Sequence, residues 1–357
     1  MRFHVVSVPH TQVTLEYSAC AFTEKVRKFC IMMTSLGHEV YLYAGDQNVA
    51  PCTEHVPCFT EEERLAHCGG KHFIEAVWDA NYGLWVDFNR RVASEIRRRA
   101  QQQDIVCIIG GTANAPLERE LSDLLVVEFG IGYPGSFAKY RVFESYAWMH
   151  ATYGAQTPGG AAAADGRWFD AVIPGYFEVD QFEPKYEKDD YFFFIGRLID
   201  RKGLHIATEV CQRLGKRLII AGQGETPKWG EYVGLVGPEQ RNAIMANARA
   251  VFMPTIYLEP FGNVAVEAQA CGTPAITTDW GAFTETVKHG VTGYRCRSLQ
   301  EFCNAARNCD TLDYHAIRKH AVGNYSLEVI AQKYDAYFRR LLTLWGDGWY
   351  SLDPDKG

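Results

Sequence analysis

Long apolar runs are missing from this 357-residue sequence, and none approaches the roughly 20 residues that a membrane-spanning helix needs. Missing too is a secretory start. The apolar stretch in Met1-Arg2-Phe3-His4-Val5-Val6-Ser7-Val8-Pro9 is short and is broken by His4 and Ser7. The cysteines include no Cys-x-x-Cys pair of the kind that builds a zinc ribbon. Without a leader they read as reduced thiols of a cytoplasmic protein rather than as a disulfide framework. One cluster, Cys52, His55, Cys58, Cys68 and His72, invites a metal; its spacing fits incidental thiols on a surface segment better. Positive charge is also in short supply: the formal net charge is -7, which argues against a general nucleic-acid binder. Neither strand expected to open a domain is followed by G-x-G-x-x-G, which weighs against a dinucleotide-dependent oxidoreductase. No Asp-x-Asp-like carboxylate pair stands at a plausible strand end, so a phosphate-bridging metal is not expected; no other cofactor is expected either.

What is present is an ordinary globular composition, 47% hydrophobic and 22% charged, in a chain long enough for two domains. Phe3 to Val8 reads as a strand, followed by a helix around Cys20 to Phe29 and a second strand at Val40 to Tyr43. That is a βαβ unit. A long amphipathic helix is expected from about Phe73 to Arg99, leading into buried strands at Ile105–Ile109 and Leu124–Glu128. The first half is therefore a doubly wound α/β domain. The rhythm restarts with strands at Tyr191–Ile195, Arg217–Ala221, Ala250–Pro254 and Pro274–Thr277, separated by helices. The closing stretch Leu327 to Trp345 is too amphipathic for a free tail and should dock on a domain. This divides the chain at 1–175, 176–326 and 327–357, the last segment packing back on the first domain. Trp78, Trp85 and Phe88 beside Arg90, Arg91, Arg97, Arg98 and Arg99 leave two readings. A core face with solvated arginines is favoured over weak membrane-surface contact for a lipid acceptor.

Ligands of open α/β sheets bind outside the carboxyl ends of the strands. In the second domain those ends carry Gly196-Arg197 through Lys202-Gly203, where a glycine admits a ligand and two cations suit a diphosphate. They also carry Tyr257-Leu258-Glu259-Pro260-Phe261-Gly262-Asn263, leading into a helix that ends at Cys271-Gly272-Thr273-Pro274. Asn263 is the expected N-cap, so free amides and the positive dipole end of the helix await an anion. Glu259 and Glu267 flank that anion site. A carboxylate beside a phosphate needs a neutral polyol to bind, so the outline is a diphosphate with a sugar on each side.

Together these residues resemble glycosyltransferase family four, retaining enzymes of the GT-B fold. The resemblance covers Ala171 to Gly293 closely and the first domain more loosely, and it rests above all on Glu-Pro-Phe-Gly followed by Glu-Ala-Gln-Ala-Cys-Gly-Thr-Pro. It implies an α/β architecture of two Rossmann-like doubly wound domains facing an interdomain cleft. It implies a metal-independent transfer of a hexose from a nucleotide-diphosphate sugar, UDP-sugar before GDP-sugar, to an unidentified hydroxyl acceptor. Glu259 would address the transferred sugar and Glu267 the ribose. Amides around Phe261, Gly262, Asn263 and Val264 would hold sugar and phosphate, and Arg197 and Lys202 would neutralise the leaving diphosphate. Gly196, Gly222 and Gly237 would line the nucleotide site. Three departures stand out. Gly175 replaces a common Asn, and Pro9-His10-Thr11-Gln12-Val13-Thr14 replaces a Gly-Gly turn. Glu128-Phe129-Gly130-Ile131-Gly132-Tyr133 stands where many members have a His. His10, Thr11 and Tyr133 are the acceptor-side candidates, with Glu128 and His150 as further catalytic candidates. A sugar-nucleotide epimerase of similar fold and a non-catalytic sugar-nucleotide-binding protein are the rival readings. Acceptor-independent turnover would mark the first, and no turnover the second.

Overall fold

The structure is a computed structural model, and it describes every residue except His72, Val77, Trp78, Ala80, Tyr82, Trp168 and 346–357. Its chain forms two compact units. The first comprises Met1–Phe143, Gly154–Ile173 and the chain from Ile330 onward; the second comprises Glu144–Tyr153 and Pro174–Val329.

The first unit holds β1 (Arg2–Val6), α1 (Ala21–Ser35), β2 (Glu39–Gly45), β3 (Glu54–Phe59), α2 (Glu61–His67), α3 (Leu84–Arg99), β4 (Ile105–Ile108), α4 (Ala115–Glu120), β5 (Leu125–Ile131), β6 (Tyr140–Phe143) and β7 (Ala171–Val172). All strands pair in parallel, in the order β3-β2-β1-β4-β5-β6-β7. The order reverses between β1 and β4, the position where ligands of such sheets bind.

Helix α3 corrects the expectation of a helix from Phe73. It begins only at Leu84, because Gly83 at φ 57 turns the chain out of helical geometry. Trp85, Phe88, Val92 and Ile96 are buried. Arg90, Arg91, Arg97, Arg98 and Arg99 all pair with acidic side chains of the same chain. Trp85 and Phe88 are thus core residues and the arginines a solvated, paired face; Trp78 of that expectation lies outside the described residues.

Helix α5 (Tyr146–Gln156) follows β6. The second unit contains β8 (Tyr191–Ile195), α6 (Leu204–Leu214), β9 (Arg217–Ala221), β10 (Glu231–Tyr232), α7 (Pro238–Asn247), β11 (Ala250–Met253), α8 (Asn263–Ala270), β12 (Ala275–Thr278), α9 (Phe283–Thr286), β13 (Gly293–Cys296), α10 (Leu299–Asn308) and α11 (Tyr314–Tyr325). The sheet is again parallel, ordered β10-β9-β8-β11-β12-β13, and reverses between β8 and β11. Alternation along β8 builds the layers. Phe193 enters the core shared with α8, while Phe192 and Phe194 enter the opposite core with α6 and α10. Each fully buried Phe contributes about 1.5–3 kcal/mol.

The last helix, α12 (Leu327–Trp345), buries Ile330, Ala331, Tyr334, Tyr337, Phe338 and Leu341, one stripe at helical spacing. From Ile330 on it belongs to the first unit. There Phe338 packs edge-on to Phe3 at 4.8 Å, and Tyr334 meets Phe29 at 5.3 Å. Asp335 accepts a 2.8 Å hydrogen bond from His38 Nε2. Among the described residues no helix is long and apolar enough to cross a membrane.

Candidate active site

The reversal between β8 and β11 brings the two charged motifs of the second unit to one end of its sheet. After β8 the backbone passes Gly196 and presents Arg197, which is exposed and has no ion-pair partner among the described residues. Gly222 closes the β9 end so tightly that a Cβ there would stand 1.8 Å from the Gly196 carbonyl oxygen. Only glycine permits that approach. A short turn, Asp200–Lys202, then aims Lys202 at the loop that follows β11.

Lys202 and Glu259 meet: Nζ donates to the Glu259 carboxylate at 3.0 Å, with side chains only 17% and 12% exposed. The same ammonium lies 4.8 Å from the centroid of the Tyr257 ring, whose other neighbour is the Arg201 guanidinium at 5.0 Å. Burial pushes the Tyr257 hydroxyl above its ordinary range. Sequence reasoning placed Lys202 on a phosphate and Glu259 on a sugar, and missed both their contact and Tyr257. Nothing local signals a pairing between residues 57 positions apart.

Gly262, at φ 83, is the N-cap of α8, and Asn263 is its first helical residue. This corrects Asn263 as the cap: the left-handed turn needs a residue without Cβ, and glycine takes it. No side chain caps the helix, which leaves first-turn amides at Asn263 and Val264 for a ligand. The Phe261 side chain is buried in the core, 5.8 Å from the Tyr325 ring, so only its backbone is available. Gly175 packs against it. A Cβ at 175 would come within 2.6 Å of the Phe261 ring, which explains the missing Asn. One turn into α8, Glu267 is half-buried and stands 3.6 Å from Arg241 of α7, a second residue that spacing did not reveal. Gly237 is the N-cap of α7, with Pro238 at its first position.

The first-unit candidates form two groups. Glu128 is fully buried in β5, where its carboxylate accepts from Tyr133 Oη at 3.1 Å, Phe137 N at 2.9 Å and Ala138 N at 3.3 Å. Burial raises its pKa, against the pull of those donors. Tyr133 Oη in turn accepts from Gly110 N at 3.1 Å, beyond β4. Glu128 and Tyr133 thus brace the turn after β5. Residues 130–135 spell G-x-G-x-x-G there, yet lead into strand β6 and so create no helix N-terminus.

His10 and Thr11 follow β1. His10 is stacked on Trp85 at 5.6 Å with Nε2 3.3 Å from Cys20 Sγ, and burial lowers its pKa to about 4. It is therefore neutral at physiological pH. Thr11 is hydrogen-bonded to Thr23 at 2.5 Å. His150 joins neither group: it is exposed on α5, within the second unit, 6.0 Å from the Tyr146 ring. Among the described residues no three His, Cys, Asp or Glu side chains converge to hold a metal, and His72 of the sequence cluster lies outside them.

Known proteins of similar sequence and shape bear on this geometry. Residues 177–301, which include both glutamates, match the family described as glycosyl transferases group 1. The glycogen synthase of Mycobacterium tuberculosis is 36% identical over 121 residues, 29% of this chain and 29% of that protein, so the chain spans under a third of that relative's length. In three dimensions the likeness is broader. The crystal structure of AviGT4, a glycosyltransferase involved in avilamycin A biosynthesis, superposes with a TM-score of 0.66 at 20% identity, covering 96% of this chain and 98% of that one. HepE of Anabaena, crystallised with UDP and glucose, gives 0.62 at 16% identity over 94% and 98%. These likenesses establish the fold as GT-B.

Proposed function

We propose that this chain, whose residues 177–301 belong to the glycosyl transferases group 1 family, transfers a hexose from a nucleotide-diphosphate sugar to a hydroxyl acceptor. The observation that carries the reading is the uncapped N-terminus of α8 between two carboxylates, with Arg197 and Lys202 at the neighbouring strand end. The first-turn amides and the helix dipole receive the diphosphate, and Arg197 adds a forked donor. Glu267 receives the ribose diol and Glu259 a hydroxyl pair of the transferred hexose. As the anomeric bond breaks, negative charge grows on the leaving diphosphate. Donors already fixed around it need no reorganisation, which is where the rate advantage arises.

Lys202 has two destinations in this scheme. Without donor it neutralises Glu259; with donor bound, the diphosphate competes for it. Transfer proceeds with retention and without a metal, the acceptor hydroxyl approaching the face that the diphosphate leaves. UDP is the first nucleotide to test, since HepE, of like fold, was crystallised with it. The test is turnover of UDP-glucose and GDP-mannose in the presence of EDTA. Release of nucleoside diphosphate without added metal supports the reading; activity that appears only when manganese is restored refutes metal independence. No turnover of any sugar nucleotide refutes the enzyme.

A further inference from the structure

A cavity of about 700 Å³ opens at the same end of the second sheet but in the layer of α6 and α10, away from α8. That is within the roughly 300–1,000 Å³ common for small-molecule sites. None of Arg197, Lys202, Glu259 or Glu267 lines it. Its apolar walls come from Ile256, Leu299, Phe302 and Trp280, and the Trp280 and Ile256 side chains remain 49% and 51% exposed. Single exposed hydrophobes are unremarkable, but here an indole and an isoleucine border the same concave space.

The polar lining says what fits. His205 and Glu209 stand one turn apart on α6, and Asp279 and Arg297 stand beyond β12 and β13. Asp279 is held by Arg297 at 2.8 Å, so the pair presents both an acceptor and a donor without net charge. An anion is disfavoured. The α10 N-terminus, the natural anion seat nearby, is already closed by a capping box of Ser298 and Glu301. The lining guanidinium, Arg297, is already committed to Asp279, so no unpaired arginine of the lining awaits a phosphate. A purely apolar ligand would strip water from four charged or polar side chains without replacing their hydrogen bonds. A neutral saccharide meets both demands: its C–H face covers the indole while its hydroxyls engage carboxylate, guanidinium and imidazole.

We propose that this cavity is a second, saccharide-binding site, separate from the diphosphate site and specific for uncharged sugar chains. It touches the other site through one strip of backbone. Ala282 N, two residues past Trp280, donates to the Glu259 carbonyl at 3.1 Å, and Ile256 N donates to the Arg201 carbonyl at 2.9 Å. The site takes the chemical class on which a hexosyl transfer builds, yet its existence does not rest on that activity.

Calorimetric titration of the full chain with maltotriose, cellotriose and mannotriose, and separately with UDP, tests it. At least one trisaccharide should bind. Trp280→Ala should weaken that binding about tenfold or more, while Trp280→Phe retains most of it through its aromatic face. Trp280 is half exposed, so neither change should unfold the protein, and unchanged UDP binding in both variants verifies that. Silence toward all three sugars overturns the proposal, as does binding that Trp280→Ala leaves intact. Loss of UDP binding in the unsubstituted chain would instead strike the donor reading, so the two failures are read separately.

Discussion

Glu259→Gln should make the protein bind free UDP more tightly while it transfers sugar more slowly. A 3.0 Å contact with Glu259 occupies Lys202 when no donor is present. For the ammonium to reach a diphosphate it must leave or share that carboxylate. A hydrogen bond between charged groups is worth about 1.5–3 kcal/mol net, and sharing forfeits only part of it. Removing the carboxylate should therefore release up to about 1 kcal/mol, roughly fivefold in the dissociation constant of UDP. The same change deletes the acceptor for the transferred sugar, whose interaction strengthens as charge develops at the anomeric carbon. That should lower kcat about a hundredfold, near 2.7 kcal/mol. Glu267→Gln is the comparison. A ribose contact serves ground and transition states alike, so its loss should raise the donor KM and spare kcat. Calorimetry with UDP and initial rates with UDP-glucose read both variants. Weaker UDP binding in Glu259→Gln with an unchanged rate would refute the division of labour and make the Lys202 contact incidental.

Arg197→Ala should weaken UDP binding about tenfold without moving the thermal midpoint, because the side chain is exposed and has no ion-pair partner among the described residues, and Arg197→Lys should recover only part of the loss. Gly175→Asn should destabilise by about 1–3 kcal/mol through overpacking on Phe261, measured by denaturant unfolding, and Phe261→Leu in the same chain should relieve it. His10 predicts a pH dependence. Folded His10 stays neutral down to about pH 4, whereas the unfolded chain protonates near 6.5. Between those values the unfolded state holds the extra proton, so stability falls as pH drops, by up to roughly 3 kcal/mol. His10→Gln should flatten that part of the profile; an unchanged slope would show that the imidazole is not desolvated.

The second unit was the more legible in sequence because its signals are local. Strands β8 and β9 and helix α6 occupy the residues that hydrophobic periodicity marks, and Gly215 ends α6 in the left-handed turn expected of a C-terminal glycine. The seven-residue gap between Glu259 and Glu267 likewise survives folding as a loop and one helical turn. What periodicity overlooked was punctuation and pairing. Apolar spacing runs on upstream of Leu84, but one positive-φ glycine outweighs it. Arg241 and Tyr257 acquire their meaning only through partners on other elements, Glu267 and Lys202. The first-domain candidates were legible only through the resemblance: Glu128 stands where many members have a His, and its three donors, which come from residues 5 to 10 positions further on, are not marked by any periodicity.

The first unit borrows its final core helix from the far end of the chain, and this sets an order of events during synthesis. Phe3, Phe29 and Phe129 line the surface that Tyr334 and Phe338 cover. A ribosome that has made the first 173 residues has released a seven-stranded sheet whose apolar groove is still open. It stays open while more than 150 further residues emerge, long enough for the second unit, whose two segments Glu144–Tyr153 and Pro174–Val329 are both made before Ile330, to fold first. The amino-terminal half is thus born early and finished last. A nascent chain stalled before Ile330 should be a stronger client for chaperones than one that has released α12, and trimming α12 should damage the opposite end of the sequence.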